Sequence, residues 1–350
     1  MTISRRAFLL ATGAGVVLGS QGAAVGDAAP TTKPRYGFNL LNKFGWGRND
    51  PFPESEFALL AEWGFNYVRL PMSYRLWIEG DDWKKLHEPT LKDIDAAVAL
   101  GGKHGVHTCI NFHRAPGYCV GEPKEPLDLW KDSEALEACA YHWAHFAKRY
   151  QGVPNDQVSF NLINEPAHVG ADDYTRVVTR LVEAIRAEDP KREISADGLM
   201  WGRLPVSALA ALGINQNTRG YDPMPLSHYG AGWVAESAKW SEPTWPPKGQ
   251  TAEEAKERLY KSNIESWKPL EVKGVHIHVG EWGAFNKTPH EVVLAWMKDQ
   301  LELWKAAGWG WSLWEFEGTF GILNSGRADV QYEEFRGRKL DREMLTLLQQ

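Results

Sequence analysis

The sequence predicts an α/β fold, a single (β/α)8 TIM barrel. From Tyr36 onward, eight short apolar runs alternate with longer amphipathic stretches, which is the pattern of parallel strands joined by helices. About 320 residues follow the N-terminal segment, a length typical of one such barrel. An open doubly wound sheet is the second choice, and it is weakened because no Gly-rich phosphate loop follows the first strand.

The apolar runs tend to end in polar or charged residues, as strands do at one rim of a barrel. The predicted strands cover residues 36–40, 67–70, 107–112, 158–162 and 193–196, a weak strand ending near Gly220, and residues 275–279 and 309–313. Helices are predicted over 54–63, 91–104, 133–150, 172–188, 206–212, 252–265, 289–307 and 341–348. The stretch 221–249 is rich in Pro, Trp and Gly, and its length predicts a functional loop at the catalytic rim.

Composition indicates a soluble globular protein with a neutral partner. Hydrophobic residues make up 43% and charged residues 24% of the chain, which excludes a disordered, fibrous or multi-span membrane protein. The net charge is −6 and no basic run alternates with aromatics, so a nucleic-acid partner is not expected. There are 17 Trp, whose flat faces suit sugar rings, although most could simply fill the space between barrel and helices. We expect a monomer without a cofactor.

The N-terminus has the pattern of a twin-arginine export signal. Arg5 and Arg6 precede an apolar stretch rich in Ala, Gly and Val that runs to about Val25. This predicts a signal peptide over residues 1–29 and one domain over 30–350, delivered to the periplasm or outside the cell without a retained membrane anchor. Three Cys is an odd number, so at most one disulfide can form, and their spacing matches no zinc ribbon. We expect Cys109, Cys119 and Cys139 to be buried.

Ionisable residues end several predicted strands, and these ends meet at one face of a barrel. Arg69 ends the second strand, His113 the third, Asn164 and Glu165 the fourth, and Glu281 the seventh. Two carboxylates on opposed strands suit glycoside hydrolysis, in which one group protonates the leaving oxygen and the other attacks the anomeric carbon. A separation of about 5–5.5 Å between them gives retention of configuration.

The two carboxylates need different environments to perform different tasks. If Arg69 pairs with Glu281, it holds that group ionised as the nucleophile, while apolar surroundings and the charge of Glu281 keep Glu165 protonated as the acid. Asn164 is placed to hydrogen-bond the sugar 2-hydroxyl. Any single Glu could instead be a structural partner of an Arg, but the whole set favours catalysis.

The set resembles glycoside hydrolase family 5, which includes cellulases, mannanases and related β-glycanases. The resemblance runs from about Phe38 to Leu348 and depends on Arg69, His113, Asn164-Glu165-Pro166, Tyr221, Glu281 and a Trp ending the last strand. It implies that Arg69 and Tyr221 contact the nucleophile, that His113 and Asn164 bind substrate, and that Trp314 is a stacking platform under the cleaved sugar. Asn39, His228 and Trp282 complete the candidate substrate-binding or supporting residues.

Two departures bear on substrate. Arg219 stands where the family pattern has His, and we expect it to alter the substrate subsite rather than the double-displacement chemistry. Glu315 and Glu317 follow Trp314 closely. They either bind hydroxyls of a sugar outside the usual glucan set or are rim residues paired with Arg327.

Two other function classes remain open. A carbohydrate-binding protein could keep this barrel without turnover, and a metal-dependent hydrolase could use His276 and His278 with His113. We expect no metal, because residues of the parity of His276 and His278 should face the helix layer, away from Glu281. For the enzyme, a β-glucan or cellulose-like poly- or oligosaccharide is favoured, with mannan or another glycoside as the alternative.

Overall fold

A computed structural model describes residues 33–45 and 47–350, which form a closed barrel of eight parallel strands. The predicted signal segment and Trp46 lie outside the described residues. The barrel strands are β1 (Tyr36–Asn39), β2 (Tyr67–Ser73), β3 (His107–Ala115), β4 (Val158–Ile163), β5 (Ile194–Asp197), β6 (Asn215–Gly220), β7 (Ile277–Trp282) and β8 (Gly310–Leu313). Each strand pairs with its neighbour in the chain, and β8 pairs with β1. The predicted closed barrel is confirmed, and the open sheet is wrong.

Helices surround the barrel between successive strands. They are α1 (Glu54–Glu62), α2 (Glu88–His104), α3 (Ser133–Arg149), α4 (Ala171–Glu188), α5 (Ala252–Asn263), α6 (His290–Ala307) and α7 (Arg342–Leu348). The connection from β5 to β6 contains a 3-10 helix, Ser207–Leu212, where an α-helix was predicted. Shorter helical turns are Tyr74–Leu76, Leu199–Gly202, Met224–Ser227, Ala235–Lys239, Glu265–Trp267 and Lys268–Glu271. Short strands outside the barrel order are Ile78–Glu79, Asp82–Leu86, Tyr118–Cys119, Glu333–Phe335 and Arg338–Leu340.

Local sequence signals set several helix ends. Before α5, the Thr251 hydroxyl accepts from the Glu254 backbone N–H, and the Glu254 carboxylate accepts from the Thr251 N–H. This reciprocal pair satisfies two backbone donors that a helix start leaves free. Helices α2 and α6 end before Gly105 and Gly308, whose φ values of 68° and 74° are left-handed. Glycine adopts this conformation without a Cβ penalty, so both helices stop there.

Most of the aromatic core lies between the barrel and the helices. Trp143 of α3 stacks on Phe112 of β3 with ring centroids 3.9 Å apart. The fully buried Trp residues are Trp77, Trp143, Trp267, Trp282, Trp296, Trp304 and Trp309. For these residues the space-filling interpretation of the Trp content is confirmed. Trp233, in the segment after β6, is 62% exposed.

Strand β7 contains a bulge at its carboxyl end. Val279 pairs with Thr218 while Glu281 pairs with Arg219, so Gly280 is an extra residue on β7. A bulge reverses the alternation of side chains along a strand and is common next to active sites. It turns Glu281 toward the barrel axis.

The bulge also corrects the prediction for the two His of β7. The His278 ring lies inside the barrel, 4.6 Å from the ring of Tyr67, and burial lowers its pKa to about 3. His276 lines a small polar cavity of about 70 Å³ with His278 at the N-terminal end of the barrel. The expectation that both face the helix layer is wrong. Before the bulge at Gly280 the even-numbered side chains of β7 face inward, and after it the odd-numbered Glu281 does.

Three negative findings concern the described part of the chain only. Cys109, Cys119 and Cys139 are buried there and form no disulfide. No group of three or more His, Cys, Asp or Glu is arranged to hold a metal ion within residues 33–45 and 47–350. No helix in the same residues is long and apolar enough to cross a bilayer.

Candidate active site

Arg69 lies at the centre of the barrel's carboxyl-terminal face. This side chain is fully buried on β2 and donates to Glu281 Oε1 at 2.7 Å, to Asn164 Oδ1 at 2.8 Å and to Asn39 Oδ1 at 3.0 Å. Its Nε donates to Asn161 Oδ1 at 2.9 Å. The expected pair of Arg69 with Glu281 is therefore present, and polar partners from three strands hold the guanidinium in place.

Glu281 is surrounded by donors. Its Oε1 accepts from Arg69 and, at 3.3 Å, from Arg219, while its Oε2 accepts from the Tyr221 hydroxyl at 3.2 Å. The residue is only 3% exposed. Two positive charges and one hydroxyl favour a negatively charged carboxylate here, as a nucleophile requires. The contacts expected from Arg69 and Tyr221 to this group are both observed.

Glu165 follows β4 in a left-handed backbone conformation, with φ of 47°. Such a value is unfavourable for a residue with a Cβ and persists only where the surroundings fix it. Two contacts do so here. The Glu165 N–H donates to Asp197 Oδ2 at 2.9 Å, and its carbonyl accepts from the Tyr118 hydroxyl at 2.6 Å. The strained backbone aims the carboxyl group into the site.

The two carboxylates have different electrostatic environments. Burial, and then the charge of Glu281, raise the pKa of Glu165 to about 7, although Arg219 opposes the shift. The Arg219 Nε donates to Glu165 Oε1 at 2.9 Å. At neutral pH a substantial fraction of this group is protonated, as a general acid requires.

Asp197, at the end of β5, belongs to the same network and was missed from the sequence. It is fully buried and accepts from Arg219, from the Glu165 N–H, and from Asn161 and Asn217 at 2.9 and 3.2 Å. Although burial alone would raise its pKa, the charges of Arg219 and Arg69 hold it below the ordinary value. An acidic residue at the end of a strand could have indicated Asp197 as a site residue. It was missed because the predicted fifth strand, 193–196, ended one residue before it.

Arg219 lies between the two candidate catalytic carboxylates. Its side chain is buried and contacts Glu165 through Nε, and Glu281, Asp197 and Asn164 through one terminal nitrogen. Arg219 was expected to affect a substrate subsite, and the structure instead places it in contact with both candidate catalytic carboxylates. The reason is that β6 directs this side chain inward, toward the carboxylates of β4 and β7.

Asn164 has a fixed orientation. Its Oδ1 accepts from both Arg69 and Arg219, so its Nδ2 points the other way. Within the described residues this buried Nδ2 has no hydrogen-bond partner. An unpaired buried donor costs free energy unless a ligand satisfies it, so this atom suits a substrate hydroxyl.

His113 and Trp314 form an aromatic wall of the site. Their ring centroids lie 5.9 Å apart with an interplanar angle of 27°, and the Phe44 ring contacts both. Trp314 is partly exposed, whereas His113 is buried. Burial, and then the charge of Arg69, lower the pKa of His113 well below its ordinary value, so this ring is neutral. A partly exposed indole beside a neutral imidazole suits the apolar face of a sugar.

His228 supports Tyr221 from the segment that follows β6. The two rings meet edge to face at 5.0 Å, and Phe320 packs against both. Burial lowers the pKa of His228 to about 4, so the ring is neutral at physiological pH. The beginning of the long 221–249 segment thus lies at the site, while Trp245, further along, donates to Asp299 of α6.

Two other candidate residues have supporting or core positions. The Asn39 Nδ2 donates to the carbonyls of Gly280 and Leu313 at 3.1 and 3.2 Å, which ties β1 to β7 and β8. Trp282 is fully buried, with its ring 4.7 Å from that of Trp304 on α6. Of the two roles expected for Trp282, binding substrate or supporting the site, only the supporting one fits, because its side chain faces the helix layer and not the site.

Glu315 and Glu317, which follow Trp314, do not pair with Arg327 but with two other arginines. Glu315 pairs with Arg48 at 3.2 Å, and Glu317 pairs with Arg338 at 3.1 Å. Arg327 instead donates to backbone carbonyls, including that of Thr288 at 2.9 Å. The predicted pairing with Arg327 is wrong. The Arg48 side chain is 50% exposed, so the Glu315 pair reaches the surface near the site.

The family model for cellulase (glycosyl hydrolase family 5) matches residues 27–319. The chain belongs to glycosyl hydrolase family 5. A crystal structure described as "Crystal Structure of a glycoside hydrolase" is 39% identical, covers 91% of this chain and 99% of that one, and has a TM-score of 0.85. Membership of the family makes this protein a glycoside hydrolase, and the expected resemblance is confirmed.

Two curated relatives are more distant. Cellodextrinase A of Ruminococcus flavefaciens is 26% identical over 258 residues, which is 70% of this chain and 72% of that protein. Endoglucanase C of Acetivibrio thermocellus is 24% identical over 305 residues, 80% of this chain and 88% of that protein.

Proposed function

We propose that this family 5 member is a retaining β-glycosidase in which Glu281 is the nucleophile and Glu165 the acid/base. The observation that carries the proposal is the difference between the two groups. Glu281 has two guanidinium partners and a tyrosine hydroxyl, whereas Glu165 has a pKa raised to about 7 beside it. A carboxylate and a carboxylic acid at one face of a barrel are the pair that double displacement uses.

In the first step, Glu281 attacks the anomeric carbon while Glu165 gives its proton to the departing glycosidic oxygen. In the second step, Glu165 takes a proton from water, whose oxygen bonds to the anomeric carbon as the bond to Glu281 breaks. Asn164 Nδ2 hydrogen-bonds the sugar 2-hydroxyl, a contact that strengthens as positive charge develops on the ring. Trp314 supports the ring from below.

The substrate we propose is a β-glucan, either cellulose-like polysaccharide or its oligosaccharides. The charged groups that face the site pair with one another, so a neutral ligand fits better than an ionic one. The curated relatives named cellodextrinase and endoglucanase support the same class. We further propose that the enzyme is exported by the twin-arginine pathway and works as a monomer outside the cytoplasm, which rests on Arg5-Arg6 and the apolar stretch after them.

The proposal is tested with purified protein lacking residues 1–29, incubated with β-1,4-glucan, β-1,3-glucan, mannan and aryl β-glycosides. The configuration of the first product is followed by NMR. We expect β-product from wild type, none from Glu281→Gln, and normal activity from Glu317→Gln, whose carboxylate lies at the rim and pairs with Arg338. An inverted first product would overturn the double displacement, and glycan binding without turnover would favour the binding-protein alternative.

A further inference from the structure

We propose that Arg219, anchored by Asp197, is a positioning residue that moves its ion pair from Glu281 to Glu165 as the covalent intermediate forms. The inference rests on the proposed function of the two carboxylates. It assigns to Arg219 a role in the second half of the reaction, when Glu165 must be a carboxylate.

The geometry places one rigid guanidinium against both groups. Nε donates to Glu165 Oε1 at 2.9 Å, while a terminal nitrogen lies 3.3 Å from Glu281 Oε1. The same nitrogen makes a short ion pair with Asp197 Oδ2. Asp197 is fully buried and exchanges no proton or bond in the proposed steps, so it holds the guanidinium while the other two carboxyl groups change charge. Because Glu165 accepts at Oε1, its Oε2 is left to carry the proton.

The backbone around Arg219 is shaped for an arginine. A Cβ at Gly202 would lie 2.7 Å from the Arg219 Cγ, and a Cβ at Gly280 would lie 2.8 Å from its Nη1. Gly202 also has a φ of 80°. Both distances are shorter than real Cβ contacts, so residues with side chains at either position would displace the guanidinium. Gly280 is also the extra residue of the β7 bulge that aims Glu281.

A charge count over the site explains the need for a second arginine. The charged and titratable groups around Glu165 lie on or directly after five barrel strands and on the short strand Tyr118–Cys119. They are Arg69, His113, Asp197, Arg219, Tyr221, Glu281 and Tyr118. Burial, the largest cause, lowers the pKa of His113 and raises those of Tyr118 and Tyr221, so these three are neutral. With Glu165 protonated, the two arginines balance Asp197 and Glu281.

The net charge of these groups stays the same through the first step, but one negative charge moves from Glu281 to Glu165. Glu281 loses its charge when it bonds to the anomeric carbon, and the bond from that carbon to the leaving oxygen breaks. The proton on Glu165 goes to the leaving oxygen, so Glu165 becomes the carboxylate. The Arg219 Nε–H already points at Glu165 and then stabilises that carboxylate, which takes a proton from water in the second step.

The test separates the two steps with a 2,4-dinitrophenyl β-glycoside, whose leaving group needs no proton. We expect Arg219→Met to release a rapid burst of dinitrophenolate and then turn over about a hundredfold more slowly than wild type, with a lower KM, because Glu165 is no longer held in place as a carboxylate for the second step. Azide, which attacks without a base, should restore turnover, as it should for Glu165→Ala. The acidic limb of the kcat profile should also move to higher pH.

Arg327→Met is the matched control, because that buried guanidinium donates to backbone carbonyls away from the carboxylates. It should lower stability without a burst or azide rescue. The double variant Arg219→Met/Asp197→Asn leaves no unpaired buried carboxylate and should show the same burst if the single variant does not fold. Loss of turnover in both Arg219 variants without a burst or azide rescue would overturn the proposal. Absence of turnover in wild type would instead overturn the proposed function.

Discussion

Replacing Glu165 by Gln is expected to stabilise the folded protein at alkaline pH. Burial, and then the charge of Glu281, raise the pKa of Glu165 from 4.5 to about 7 in the native state. Between these values the native state binds more protons than the unfolded chain, so the stability of the wild type falls as pH rises. A difference of this size corresponds to about 3 kcal/mol of unfolding free energy, lost by about pH 8. Gln keeps the shape and the acceptor for Arg219 but carries no charge.

The assay is guanidinium chloride unfolding of wild type and Glu165→Gln at about pH 4 and about pH 8.5. We expect the two proteins to be equally stable at the lower pH, and the Gln variant to be more stable by about 3 kcal/mol at the higher pH. Glu317→Gln, at the exposed rim, controls for the loss of a negative charge and should show no such pH dependence. An equal difference at both pH values, or a Gln variant that is less stable at pH 8.5, would refute the reasoning.

Other predictions concern activity and packing. The kcat/KM of wild type should fall as pH rises through about 7, where Glu165 loses its proton, and a pH–rate profile flat from pH 6 to 9 would contradict the acid role. Tyr221→Phe removes the hydroxyl 3.2 Å from Glu281 and should lower kcat about 10- to 100-fold with little change in unfolding free energy, whereas unchanged kcat would exclude this contact from catalysis. Asn164→Ala should lower kcat/KM about a hundredfold on a glycoside but much less on its 2-deoxy analogue, and equal losses on both would place the 2-hydroxyl elsewhere. Trp282→Ala should lower the free energy of unfolding by about 3–5 kcal/mol while the KM of the folded variant stays near that of wild type. A large rise in KM would show that this residue contacts substrate.

The fold was largely readable from the sequence because its periodicity is strong. Strand and helix positions agree with the structure to within a few residues, since apolar runs buried on both faces and amphipathic helices give distinct patterns. The exception is Ser207–Leu212, a 3-10 helix whose six residues are too few to show a helical period.

The candidate site was readable from the residues at the carboxyl ends of the strands, but the direction of side chains within a strand was not always readable. The bulge at Gly280 reverses the alternation of inward and outward side chains along β7. No local sequence pattern predicts this bulge, so His278 was wrongly expected to face the helix layer. Trp282 follows Glu281 directly, but adjacent strand residues face opposite sides, so its side chain packs on the helix layer. The place of Arg219 depends on Asp197, Glu165 and Glu281 from three other strands, a juxtaposition that a single segment does not reveal.

The central claim is that Glu281 forms a covalent bond with the sugar, and trapping that intermediate tests it most directly. Wild type would be incubated with a 2-deoxy-2-fluoro β-glycoside bearing a good leaving group, which slows the second step more than the first. Mass spectrometry of the intact protein and of its peptides should show one added fluoroglycosyl group, attached at Glu281. A label on another residue, or inactivation without any covalent adduct in an enzyme that turns over normal substrate, would contradict the account.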